Sequence, residues 1–178
     1  MNTISSSLPG GLAAARRARA LLVACAVVGA LAGCASDPSR LPAGATRAET
    51  LQRLGTPTAT YPLADGVERL QYSRAPAGTE VSNVDIDAAG RVVSNRQELD
   101  ERLFGDTIRV DAWTEADVLR TYGRPFEIRR VATYDGVVWS WRYRALNDLR
   151  LLHIYIDPSG RVTRYHTGPD LTRQWMRW

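Results

Sequence analysis

Thr114-Glu115-Ala116-Asp117-Val118-Leu119-Arg120-Thr121-Tyr122-Gly123-Arg124-Pro125 decides the fold, because the chain carries a related phrase earlier. That phrase is Thr46-Arg47-Ala48-Glu49-Thr50-Leu51-Gln52-Arg53-Leu54-Gly55-Thr56-Pro57, an offset of 68 residues. Each phrase contains every signal of a short helix. A threonine at the start, with an acid three residues on, forms a capping box. Gly55 and Gly123 suit the left-handed position after a helix, and Pro57 and Pro125 forbid continuation. Leu51 and Leu54 in one copy, and Val118, Leu119 and Tyr122 in the other, supply an apolar stripe. An internal repeat of this kind sets the architecture of the whole chain.

The repeat continues beyond the helices. Leu70 and Tyr72 alternate with Gln71 and Ser73, and Trp139 and Trp141 alternate with Ser140 and Arg142, at an offset of 69. Val84-Asp85-Ile86-Asp87-Ala88-Ala89-Gly90-Arg91-Val92 then matches Ile154-Tyr155-Ile156-Asp157-Pro158-Ser159-Gly160-Arg161-Val162, at an offset of 70. Asp, a two-residue corner and Gly between alternating strands read as a tight hairpin. Val84, Ile86, Val92, Ile154, Ile156 and Val162 are predicted to face inward. The expected fold is α+β: two tandem units, each a helix or helix pair packed on a three-stranded antiparallel sheet. The expected boundaries are a leader over 1–33, a tether over 34–43, a first unit over 44–97, a connector over 98–107, a second unit over 108–170 and a tail over 171–178. Leu99, Leu103 and Phe104 sit near helical spacing, so the connector is expected to contain a short helix packed between the units.

The leader has its own signature. Arg16, Arg17 and Arg19 precede the apolar run Ala20 to Leu31, and Leu31-Ala32-Gly33-Cys34 closes it. A basic start, a short apolar stretch and small residues describe a secretory signal. Twelve apolar positions fall short of the roughly 20 that a membrane span needs. Leu31, Ala32, Gly33 and Cys34 together resemble the lipobox of bacterial lipoproteins. The resemblance implies removal of residues 1–33 and acylation of Cys34 by a diacylglycerol and an N-acyl chain. It further implies an outer-membrane location on the periplasmic face, because Ala35 and not Asp follows the cysteine. Acyl chains at about 0.8 kcal/mol per buried CH₂ make such an anchor effectively permanent.

Composition excludes several chemistries. The formal charge is +4, but without Arg16, Arg17 and Arg19 the remainder holds 20 arginines against 19 acids, which gives no footing for nucleic acid. The chain has no lysine, so no amine is available for a Schiff base. With Cys25 in the leader and Cys34 acylated, no thiol is left for a disulfide or a metal. No Gly-x-Ser-x-Gly elbow and no phosphate-cradling glycine loop is present. Asp85, Asp87 and Asp157 read as strand and turn residues rather than paired catalytic carboxylates. No metal, cofactor or enzymatic activity is expected.

Trp139, Trp141 and Tyr143 form a one-sided stripe that reads as core. The opposite face holds Arg142 and Arg144, with His153 and Tyr155 nearby, and is the candidate contact surface, since Arg and Tyr are enriched at binding hot spots. If Ile156 pairs with Arg161, Leu151 lies opposite His166, and the two histidines are diagonal neighbours. Two histidines without a carboxylate fall short of a zinc site. In the tail, Trp175 and Trp178 beside arginine suit a lipid headgroup boundary. A short segment folded back on the sheet is the alternative.

The second unit resembles the BamE (SmpA/OmlA) family of outer-membrane-assembly lipoproteins. The matching residues are Ile108-Arg109-Val110, Thr114, Asp117, Tyr122-Gly123-x-Pro125, Trp139-x-Trp141 and Ile154-x-Ile156-Asp157-Pro158-Ser159-Gly160-Arg161-Val162. The first unit matches through Gly44-Ala45-Thr46, Leu54-Gly55-x-Pro57 and Asp87-Ala88-Ala89-Gly90-Arg91-Val92. The resemblance implies a helix pair on a three-stranded sheet and a non-enzymatic accessory role in the machinery that inserts β-barrel proteins. It implies membrane lipid and envelope proteins as partners. The chain departs from the family in carrying two units, and the matched positions are caps, turns and core. Tandem units of this shape also resemble secreted β-lactamase-inhibitor proteins in architecture. An inhibitor-like or envelope-stress lipoprotein is therefore the second expectation, and an enzyme the third.

Overall fold

The structure, a computed structural model, describes residues 37–171. Thr46 and Thr114 each open a helix as the repeat predicts. Helix α1 spans Arg47–Leu54, and Glu49 Oε2 accepts from the Thr46 backbone N–H at 2.8 Å. Helix α2 spans Glu101–Thr107, and helix α3 spans Glu115–Tyr122, where Asp117 Oδ2 accepts from the Thr114 N–H at 2.8 Å. Both helix ends turn on glycine. Gly55 has φ 78° and ψ −159°, and Gly123 has φ 66° and ψ −163°. This is a positive-φ extended conformation that essentially only glycine adopts, a stricter demand than the left-handed helical one expected.

Each helix leads into an antiparallel meander. Strands β1 (Ala59–Pro62), β2 (Glu68–Ser73), β3 (Val81–Ile86) and β4 (Val92–Gln97) form one sheet in sequence order. Strands β5 (Glu127–Arg129), β6 (Val137–Ala145), β7 (Asp148–Ile156) and β8 (Val162–Pro169) form the other. The class is α+β as expected, but each sheet has four strands and not three. The additional strands, β1 and β5, are short edge segments just beyond Pro57 and Pro125. Leu70 pairs with Val84, and Trp139 with Ile154. The two hairpins break register at the same place, between Asp85 and Ile86 and between Tyr155 and Ile156. Both hairpin turns also bridge back to the helix caps, through Thr46–Arg91 and Thr114–Arg161.

Two apolar clusters result. Leu70, Val84, Ile86 and Val92 pack with Ala45 and Leu41, and Leu51 and Leu54 of α1 lie against them. Leu41 falls in the segment read as tether. From Asp37 on, that segment is packed: Pro38–Arg40 form a 3-10 turn, and the Pro38 carbonyl accepts from Asn95. The second cluster holds Trp139, Trp141, Tyr143, Leu152, Ile154, Ile156 and Val162 from the sheet, with Val118 and Tyr122 of α3. It also takes Leu99 and Phe104 from the connector and Val81 from β3. The connector is thus part of the second core, and Trp139 and Trp141 face inward as the alternation predicts.

Helix α3 is covered on both sides. One side meets the second sheet, and its last turn meets the far face of the first. Gln71 Nε2 donates to the carbonyls of Leu119 and Arg120 at 3.2 Å each. Asn83 Nδ2 donates to the Thr121 carbonyl at 2.9 Å, and Tyr61 Oη to that of Leu119 at 3.3 Å. The Leu119 carbonyl also accepts from the Gly123 N–H at 2.9 Å, whereas those of Arg120 and Thr121, at the helix end, take their bonds from side chains of the other sheet. The layers therefore run α1, first sheet, α2 with α3, second sheet. Among the described residues no helix is long and apolar enough to cross a membrane.

Candidate functional site

Among the described residues, the helices cover only one face of the second sheet. On the other face, the repeated register break decides which side chains meet. It places Tyr155 opposite Arg164 and His153 directly opposite His166. This corrects the diagonal arrangement expected from pairing Ile156 with Arg161. Ile156 instead pairs with Val162, and the bulge between Tyr155 and Ile156 shifts the strand by one further residue.

The result is a continuous polar-aromatic row. The imidazoles of His153 and His166 stack with centroids 4.7 Å apart and planes 29° apart. The Tyr155 ring lies 5.5 Å from that of His166. The Arg164 guanidinium sits 3.9 Å above the Tyr155 centroid, a cation–π contact. Tyr134, from the segment between β5 and β6, meets Tyr155 edge-on at 5.0 Å and hydrogen-bonds Thr163 Oγ1 at 2.7 Å. At the other end Ser140 Oγ and His153 Nδ1 are 2.8 Å apart. Arg164 and His166 are exposed, and His153 and Tyr155 are half-buried.

Burial pushes the His153 imidazole below its ordinary pKa, helped by His166 and Arg129 and opposed by Glu127. Burial, then Arg164, does the same to His166. Both rings are therefore neutral at pH 7 and can exchange hydrogen bonds with a partner. The Ser140–His153 contact has no carboxylate on the imidazole among the described residues, so the row lacks the third member of a hydrolytic triad. Among the described residues no three His, Cys, Asp or Glu side chains are placed to hold a metal ion.

Of the candidate contact residues, His153 and Tyr155 stand in this row. Arg142 does not. Its guanidinium lies 3.9 Å from the Phe126 ring centroid, and its Nε donates to buried Asp170 at 2.9 Å. Arg144 is exposed at the far end of β6, beside the hairpin tip at Leu146. Trp175, Trp178 and the Leu31–Cys34 stretch lie outside the described residues. Sequence reasoning missed Tyr134 and Arg164. Their only signal is composition, since both depend on a loop and a bulge that no periodicity encodes.

No protein-family model matches the chain, and no curated protein matches it. Among solved structures, it is similar to the crystal structure of a DUF4309 family protein, YjgB, from Bacillus subtilis subsp. subtilis str. 168. The two are 12% identical, the match covers 71% of this chain and 79% of that one, and the TM-score is 0.30. A likeness at that score carries no argument about fold or function.

Proposed function

We propose that the chain is a lipid-anchored, non-enzymatic accessory protein that binds partners at the periplasmic face of the outer membrane, in β-barrel protein assembly. In this reading it is two tandem BamE-like units held by acylated Cys34. The anchor rests on the stretch Leu31-Ala32-Gly33-Cys34 after an apolar run. The observation that carries the binding role is the row of Tyr134, Tyr155, Arg164, His166 and His153 on the face of the second sheet opposite α3. Rigid aromatics with an arginine stacked on them lose little conformational entropy on binding and suit a protein contact. Tethering raises the effective concentration of that face for membrane-bound partners.

Affinity purification of the full chain from envelopes tests both parts. Barrel-assembly subunits are expected to co-purify, and the pair Tyr155→Ala with Arg164→Ala should reduce their recovery at least tenfold. Cys34→Ser should release the protein from the membrane fraction. Recovery of a single periplasmic enzyme instead would replace the assembly role with the inhibitor-like one. Persistent envelope association of Cys34→Ser would remove the anchor.

A further inference from the structure

A cavity of about 500 Å³ opens where the far face of the first sheet meets α3. Its wall brings together three arginines from three elements: Arg69 of β2, Arg96 of β4 and Arg120 of α3. Thr107 and Thr121 complete the polar wall, and Trp113 adds a half-buried indole. No carboxylate belongs to the lining.

Each arginine already has an acid, but held from outside the cavity wall. Arg69 gives Nε and Nη2 to Asp85, both at 2.7 Å. Arg96 gives Nε and Nη2 to buried Glu98 at 3.1 Å. Arg120 gives one Nη2 to Asp117. These pairs fix the guanidinium planes and leave Nη1 of all three without a protein acceptor among the described residues. Unused N–H donors that cannot be deprotonated call for an acceptor, and guanidinium forks match oxyanions best. The volume lies in the range of small-molecule sites.

We infer that this cleft between the two halves binds a compact polyanion carrying at least two oxyanion groups, with Trp113 as its apolar wall. The acids orient the arginines, and the ligand takes the donors they leave over. Phosphate and carboxylate share this chemistry, so the probes are inorganic pyrophosphate and citrate.

Calorimetric titration of the full chain in mild detergent tests the site. Saturable 1:1 binding of one or both probes is expected, with a change in tryptophan fluorescence that Trp113→Phe abolishes. Binding of pyrophosphate alone identifies a phosphate ligand, and of citrate alone a carboxylate ligand. Arg120→Gln should weaken binding at least tenfold while the thermal transition is retained, because its ion pair is partly exposed and the capping box of α3 does not need it. Arg53→Gln, at an exposed position of α1, should leave binding unchanged. Failure of both probes to bind at millimolar concentration overturns the site. Equal binding by Arg120→Gln, or equal weakening by Arg53→Gln, overturns it as well. None of these readouts depends on the anchor or on envelope partners.

Discussion

At the scale of single residues, His153 and His166 link the outer face of β7 and β8 to pH. Both imidazoles titrate below the ordinary value of about 6.5 in the folded chain. On acidification the unfolded chain therefore binds protons first, and folding opposes them. The stabilisation they contribute is complete above about pH 6.5 and is lost as pH falls below it. Burial is the main cause in both, and charged neighbours adjust it: His166 and Arg129 oppose protonation of His153 and Glu127 favours it, while Arg164 opposes protonation of His166. Asp100, hydrogen-bonded by Arg102, and Asp157, hydrogen-bonded by Ser159, are held below the carboxylate range. Their losses fall below about pH 4, outside this window. The melting temperature should drop between pH 7.5 and 5, and His153→Gln with His166→Gln should flatten that drop. An unchanged slope in the double variant would show that the stacked pair does not carry it.

At the scale of elements, the two helix ends form a natural control. Gly55 and Gly123 share the same positive-φ conformation, and a Cβ at either is strained. At Gly55 that Cβ meets nothing within 4 Å, whereas at Gly123 it would lie 2.9 Å from Gln71 Oε1. Gly55→Ala should cost about 1–3 kcal/mol from backbone strain alone. Gly123→Ala should cost roughly 1–2 kcal/mol more, because it also displaces Gln71 from the carbonyls of Leu119 and Arg120. Urea denaturation of the two variants measures the difference, and equal costs would mean that Gln71 moves freely. The same elements mark what was legible beforehand. Helix caps, hairpin turns and the inward Trp139 and Trp141 announce themselves, because caps and alternation are local. Strands β1 and β5 do not, since segments of four and three residues carry too little period. The stacked histidines escaped because one bulged residue changes every pairing beyond it. Gln71 and Asn83 escaped for another reason. Polar alternation places them on the outside of a unit, and only the tertiary arrangement turns that outside into an interior.

At the scale of the molecule, that polar interior decides whether the halves behave as one body. Gln71, Asn83 and Glu98 are each only 1% exposed, although all three are polar. Asn83 Nδ2 donates to both Glu98 and the Thr121 carbonyl, so it joins β3, the end of β4 and α3. Val81, Leu99 and Phe104 belong to the core of the second sheet although they precede α3 in the chain. Separating the halves would break the hydrogen bonds of Gln71, Asn83 and Tyr61 to the α3 carbonyls and expose that apolar surface, and each lost bond costs about 0.5–1.5 kcal/mol. The distribution of tryptophan makes the consequence measurable, because all five tryptophans lie between Trp113 and Trp178. Tryptophan fluorescence therefore reports the second half alone, while far-ultraviolet circular dichroism reports both. The two unfolding curves should coincide in urea, as expected of one cooperative unit. Asn83→Ala, a change in the first half, should lower both midpoints together, for a loss of about 2–3 kcal/mol in unfolding free energy. A fluorescence midpoint that stays fixed while the dichroism midpoint falls would mean that the two sheets unfold independently and that the contacts across α3 do not couple them.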